Sequence, residues 1–95
     1  MSVPRRAVAV YAHGSDSGDI DQLCEIHSLR VVFTAYVGAG SVHAPVIAAR
    51  HALEHDADVV LVPYLSTDET RSPAWQAVTR IADLITATAV LESGS

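Results

Sequence analysis

The sequence predicts an α/β domain: an open three-layer sheet, mainly parallel, of about four strands with helices on both faces. Three observations carry this expectation. Residues 7–11, 31–37 and 57–65 are runs with apolar side chains on both parities, as expected for strands buried on two faces. Between them lie stretches whose apolar residues recur at helical spacing. Apolar residues make up 49% of the chain and aromatics only 5%, so the core must come from Val, Ala, Leu and Ile packed between helices and sheet.

The first strand belongs to the stretch AVAVYAHGS, residues 7–15. It ends at Tyr11, and the turn His13-Gly14 sets Ser15 at the carboxyl edge of the sheet. That edge is where ligands bind in open α/β sheets, which makes Ser15 and His13 the first functional candidates. In DSGD, Asp16 or Ser17 caps a short helix whose apolar stripe is Ile20, Leu23, Cys24 and His27. The second strand, 31–37, runs into GAGS, whose glycines permit a sharp turn. Pro45 suits the first turn of the next helix, where its missing N–H is not needed. In that helix Val42, Val46, Ala49 and Leu53 form the expected inner stripe, with Arg50, Glu54 and His55 facing outward.

Pro63 removes a ladder donor near the end of the third strand. The segment STDETR is expected as a loop, and Ser72-Pro73 as the N-cap and first residue of a last helix with the stripe Trp75, Val78, Ala82 and Ile85. Residues 88–91 are expected to add the fourth strand. Residues 1–95 form one domain, with 1–5 and 92–95 expected to be flexible.

Composition narrows the function classes. No apolar run approaches the roughly 20 residues of a membrane span, and SVPRR is not followed by a signal-peptide core, so the expected location is cytoplasmic, with no membrane partner. Cys24 is the single cysteine and cannot form an internal disulfide; a buried, inert thiol is expected. The net charge is −5, and all six basic residues are arginines. Tight DNA binding neutralises several phosphates with clustered cations, so this chain is expected to hold DNA only weakly or through a partner. His51 and His55 are spaced to share a zinc, with Asp56 or Asp58 nearby, but an outward pair on a solvated face is the default. No cofactor or metal is expected, and a lone GAGS turn is too common to imply a bound phosphate.

The three loops after the strands gather Tyr11, His13, Ser15, Ser41, His43, Ser66, Asp68, Glu69 and Arg71 at one edge. The nucleophile-elbow pattern G-x-S-x-G is absent, which argues against a hydrolytic triad. The order of pieces instead resembles the catalytic domain of the serine recombinases of the resolvase/invertase family. Tyr11-Ala12-His13-Gly14-Ser15 stands where that family has Y-x-R-x-S, and Asp19, Gln22 and Leu23 follow as in its first helix. Tyr36-Val37-Gly38-Ala39-Gly40-Ser41 resembles Y-x-D-x-G-x-S, and Asp58-Val59-Val60-Leu61-Val62 followed by LSTDETRSP resembles D-V-V-x-V then L-D-R-L-x-R-S. The likeness spans roughly residues 6–91.

This resemblance implies a resolvase-like fold in which Ser15 is the nucleophile that forms a phosphoserine link to DNA, with Tyr11, His13 and Arg71 as the other catalytic positions. The departures imply lost activity. His13 replaces an arginine, Gly38 an acid, and Leu65-Ser66-Thr67 stands for L-D-R, leaving Arg71 as the one plausible retained cation. Each preorganised donor removed costs on the order of 10²–10³ in rate. The family's long dimerising helix and DNA-binding domain are also not in this sequence. The expected role is a degenerate, non-catalytic regulatory or protein-interaction module, a homo-oligomer or bound to a protein partner; Trp75 is a candidate anchor, although its place at the head of the inner stripe favours the core. An active recombinase fragment is the alternative. A second resemblance, to small sirohydrochlorin and cobalt chelatases, rests on His13-Gly14-Ser15 and the later V-P-Y-L-S; it implies a metal at His13, aided by His43.

Overall fold

The structure is a computed structural model that describes residues 4–12, 17–38, 42–87 and 89–91. The element order is β1 (Arg5–Ala12), α1 (Ser17–His27), β2 (Leu29–Val37), α2 (Ala44–Glu54), β3 (Val59–Leu61), α3 (Thr67–Thr70), α4 (Pro73–Val78), β4 (Asp83–Ile85) and β5 (Val90–Leu91). The strands form one sheet in the order β2-β1-β3-β4-β5. The first four are parallel, and β5 returns antiparallel to β4. β1 and β2 pair along their whole lengths, with a bulge where the register steps from Val31 to Phe33.

Strand parity sorts the core into two clusters. Val8, Val10, Val60, Val62 and Leu84 pack with Ala44, Ala48 and Ala52 of α2 and with Trp75 and Val78 of α4. Ala7, Ala9, Val59, Leu61 and Ile85 pack with Ile20 and Leu23 of α1. Successive side chains on a strand point to opposite faces, so α1 lies on one side of the sheet and α2 and α4 on the other. The connectivity requires this: α1 leads from β1 outward to β2, whereas α2 leads back past β1 to β3. Crossovers of the same hand running in opposite directions must use opposite faces.

Several expectations are corrected. The sheet has five strands rather than about four, because the last helix stops at Val78 and Asp83–Ile85, expected as its continuation, is a central strand buried at Leu84 and Ile85. β3 is regular only over Val59–Leu61. Arg5 opens β1: its N–H donates to the Ser28 carbonyl, and its guanidinium pairs with Asp83.

Helix α2 is rotated from its expected setting. Ala44, Pro45, Ala48 and Ala52 are buried, while Val42, Val46 and Leu53 are exposed. Both stripes are apolar, so periodicity alone favours the larger residues. Crossing β1 at short range favours the alanines, whose small side chains let helix and sheet approach closely.

Both helix-to-strand turns after α1 and α2 use a left-handed residue without glycine, Ser28 (φ 54°) and Asp56 (φ 51°). After α2, the Asp56 N–H bonds the Leu53 carbonyl (3.4 Å) and the Ala57 N–H bonds the Ala52 carbonyl (2.9 Å), a Schellman-type ending.

Candidate functional site

The chain reverses its direction of winding between β1 and β3, and in open α/β sheets the crevice at the carboxyl end of such a reversal receives ligands. The backbone opens it here. β1 pairs with β3 only through Ala9↔Leu61, then continues for three residues to Ala12 alongside β2. Past Leu61 the other wall turns away: the Val62 N–H donates to the Ile85 carbonyl of β4, and Leu65 N–H closes a turn on the Val62 carbonyl with Pro63 next in line. The crevice therefore lies between the end of β1 and residues 62–66.

Tyr11 stands on the β1 wall. It is half-buried on the α1 side of the sheet and stacks on its register partner Tyr36, with ring centroids 5.2 Å apart and planes 14° apart. Tyr36 itself is 77% exposed on the edge strand. Ser15 and His13 follow immediately and lie outside the described residues, as does Ser41.

The opposite wall holds Tyr64, half-buried against the α2/α4 core; burial raises its phenol above the ordinary value, and the Glu69 carboxylate adds to the shift. Ser66 and Glu69 form a capping box that starts α3: the Glu69 N–H donates to Ser66 Oγ (3.2 Å), and Glu69 Oε1 accepts from Ser66 N–H (3.4 Å) and Ser66 Oγ–H (3.0 Å). STDETR is thus a helical turn, and S-x-x-E at 66–69 is the signal that would have found it. Ser72 caps α4 as expected, accepting from the Trp75 N–H (3.3 Å), with Pro73 in the first turn.

Arg71 caps the end of α3 through its backbone N–H, which donates to the Asp68 carbonyl (3.2 Å). Its exposed side chain makes no ion pair among the described residues. The other arginines are elsewhere. Arg5, Arg6 and Arg30 open β1 and β2, Arg80 precedes β4, and Arg50 sits on α2 bonded to Glu54 (3.1 Å). Arg6 and Arg30 are register neighbours beside an open cavity of about 470 Å³, yet five strand residues, about 17 Å, separate Arg6 from Tyr11. One arginine in six follows a carboxyl end.

Trp75 is 5% exposed and belongs to the core, as its place at the head of the inner stripe predicts, and is not a surface anchor. An apolar groove of about 270 Å³ lies between α2 and α4, lined by Pro45, Val46, Ala49, Ala74, Ala77 and Ile81. His51 and His55 do not face outward as a solvated pair. Both are partly buried and stack on Phe33 of β2, with centroids 4.2 and 4.7 Å away. The acid beside them is Glu54, not Asp56 or Asp58. A hydrogen bond from Arg50 holds the Glu54 carboxyl below its ordinary range. Cys24, expected to be buried, is half-buried, and burial together with the Asp21 charge raises its thiol above the ordinary value. His43 is the N-cap residue of α2. No described helix is long and apolar enough to cross a membrane. Comparison of the chain with models of known families, with curated proteins and with solved structures gives no match.

Proposed function

We propose that this chain is a serine-recombinase-like domain with the three-layer scaffold of the resolvase catalytic domain, that it does not cut DNA, and that it works as a self-associating interaction module. The observation that carries the reading is the charge at the crevice. Phosphoryl transfer is catalysed mainly by positioned positive charge. Here the segment standing for L-D-R is Leu65-Ser66-Thr67, with Thr67 at the position where the resemblance calls for an arginine, and the Ser66–Glu69 capping box adds a carboxylate two residues further on. Arg71 is the one arginine beyond the strands' carboxyl ends, and the remaining five are committed to the amino edge or to α2.

The interaction surface in this reading is the groove between α2 and α4, and its occupant is a second copy of the chain. The lining residues carry no charge. For a protein of net charge −5, an uncharged patch is where two copies meet with least repulsion. Val46 at 65% exposed and Ile81 at 39% supply the apolar contact.

Two measurements test this. Supercoiled plasmid incubated with a large excess of protein should remain intact, with no covalent protein–DNA adduct; an adduct that Ser15→Ala abolishes overturns the non-catalytic reading. Sedimentation velocity should show a dimer that Val46→Glu converts to monomer. A wild-type chain that stays monomeric at high concentration overturns the self-association.

A further inference from the structure

Helix α2 carries a feature with no part in the crevice chemistry. His51, Glu54 and His55 each offer one ligand atom, and these atoms all lie within 4.8 Å of one another. We infer that these three residues form a binding site for a divalent transition metal of the zinc class, with the remaining coordination position open to water.

Donor chemistry selects the ion. Two imidazoles and one carboxylate suit zinc, cobalt or nickel, whereas calcium and magnesium require oxygen ligands throughout. Three protein ligands plus an open position is the arrangement of non-structural zinc sites. In a tetrahedral site with bonds near 2.1 Å, ligand atoms stand about 3.4 Å apart. His51 Nδ1 and Glu54 Oε2 already have that separation, 3.4 Å. The widest gap in the set must close by at most about 1.4 Å, within the reach of a side-chain rotation.

The neighbours hold the ligands in place. Phe33 stacks on both imidazoles and restrains their planes. Arg50 Nε holds Glu54 Oε1 at 3.1 Å, which leaves Oε2 turned to His51. Partners of this kind are what orient metal ligands. A second observation is independent of spacing: His51 Nδ1 is buried and makes no hydrogen bond, because its approach to Glu54 is close in distance but not aligned for one. Buried polar atoms normally have partners, and a coordinated ion would satisfy this one.

The test is titration calorimetry of the full chain with zinc chloride, supported by the visible absorption of the cobalt(II) form as a readout of ligand number. The wild type should take up one equivalent. Glu54→Gln, which keeps side-chain size at an exposed position, and His55→Ala should each weaken uptake at least about tenfold. His27→Ala and His43→Ala should leave it unchanged, with circular dichroism confirming that every variant is folded. The inference is overturned if the folded wild type takes up no zinc or cobalt, if Glu54→Gln and His55→Ala bind as the wild type does, or if uptake is instead lost in His13→Ala. None of these outcomes depends on whether the chain acts on DNA.

Discussion

At the amino edge of the sheet, Arg5 of β1 reaches Asp83 of β4, Asp58 N–H bonds the Arg6 carbonyl, and Asp83 N–H bonds the Asp58 carbonyl, so the strand starts are tied in series. At the carboxyl edge, β1 and β3 part after Leu61, and among the described residues the groups there are tyrosines, Ser66, acids and the single arginine Arg71. Among the described residues, the arginine that ties strands together, Arg5, does so at the end opposite the crevice. A fold built for phosphoryl chemistry would concentrate positive charge at the other end. This difference is the ground on which the proposed non-catalytic reading rests.

The comparison can be broken or sharpened by substitution, beginning with the largest effect. Trp75→Ala at the carboxyl side should cost about 3–5 kcal/mol, because it empties a fully packed core position; a denaturant midpoint close to wild type would return Trp75 to the role of surface anchor. Ser66→Ala should cost about 1 kcal/mol by removing the α3 cap, and thermal melting should reveal it. No loss would mean that Ser66 and Glu69 are held there for something other than structure.

Charge removal should separate the edges. Arg5→Ala should lose at most about 1 kcal/mol, since its guanidinium is partly solvated, and Arg71→Ala less than about 0.5 kcal/mol. A larger loss at Arg71 would place structural charge at the crevice after all. Asp56→Gly should stabilise by about 0.5 kcal/mol, because glycine adopts the left-handed turn after α2 without a Cβ penalty; a lowered melting temperature would show that the aspartate side chain contributes more than its backbone costs.

The smallest effect is on the alkaline side. Cys24 and Tyr64 have folded values raised above their ordinary 9.0 and 10.0, in both cases first by burial. A raised acid binds its proton more tightly when folded, so its contribution is complete below the ordinary value and disappears as pH climbs through the folded one. Between about pH 7 and pH 9 urea midpoints should therefore be level, and they should fall above about pH 9. A midpoint that rises there would contradict the burial of both groups.

Much of the architecture was legible in the residues because strands buried on two faces announce themselves. The runs at β1, β2 and β3 were found, as were α1 and the Ser72-Pro73 start of α4. Four residues are too few to show a period, so spacing alone reads Ser66-x-x-Glu69 as loop although the capping pair is visible in it. The segment at β4 reads as helix by periodicity because Trp75, Val78, Ala82 and Ile85 fall at helical spacing. What distinguished it was the Ala-Asp pair at 82–83, which repeats the Ala-Asp at 57–58 before β3.

From sequence alone came the class of the fold, the parallel strands, and the gathering of Tyr11 and Arg71 toward one edge, because local periodicity and the rules of crossover connection depend only on chain order. Tertiary structure decided which stripe of α2 turns inward, where the arginines stand relative to the crevice, and that Phe33 gathers His51 and His55 beside Glu54. These are settled by how closely a helix can approach the strand beneath it, a three-dimensional quantity that two equally apolar stripes leave open.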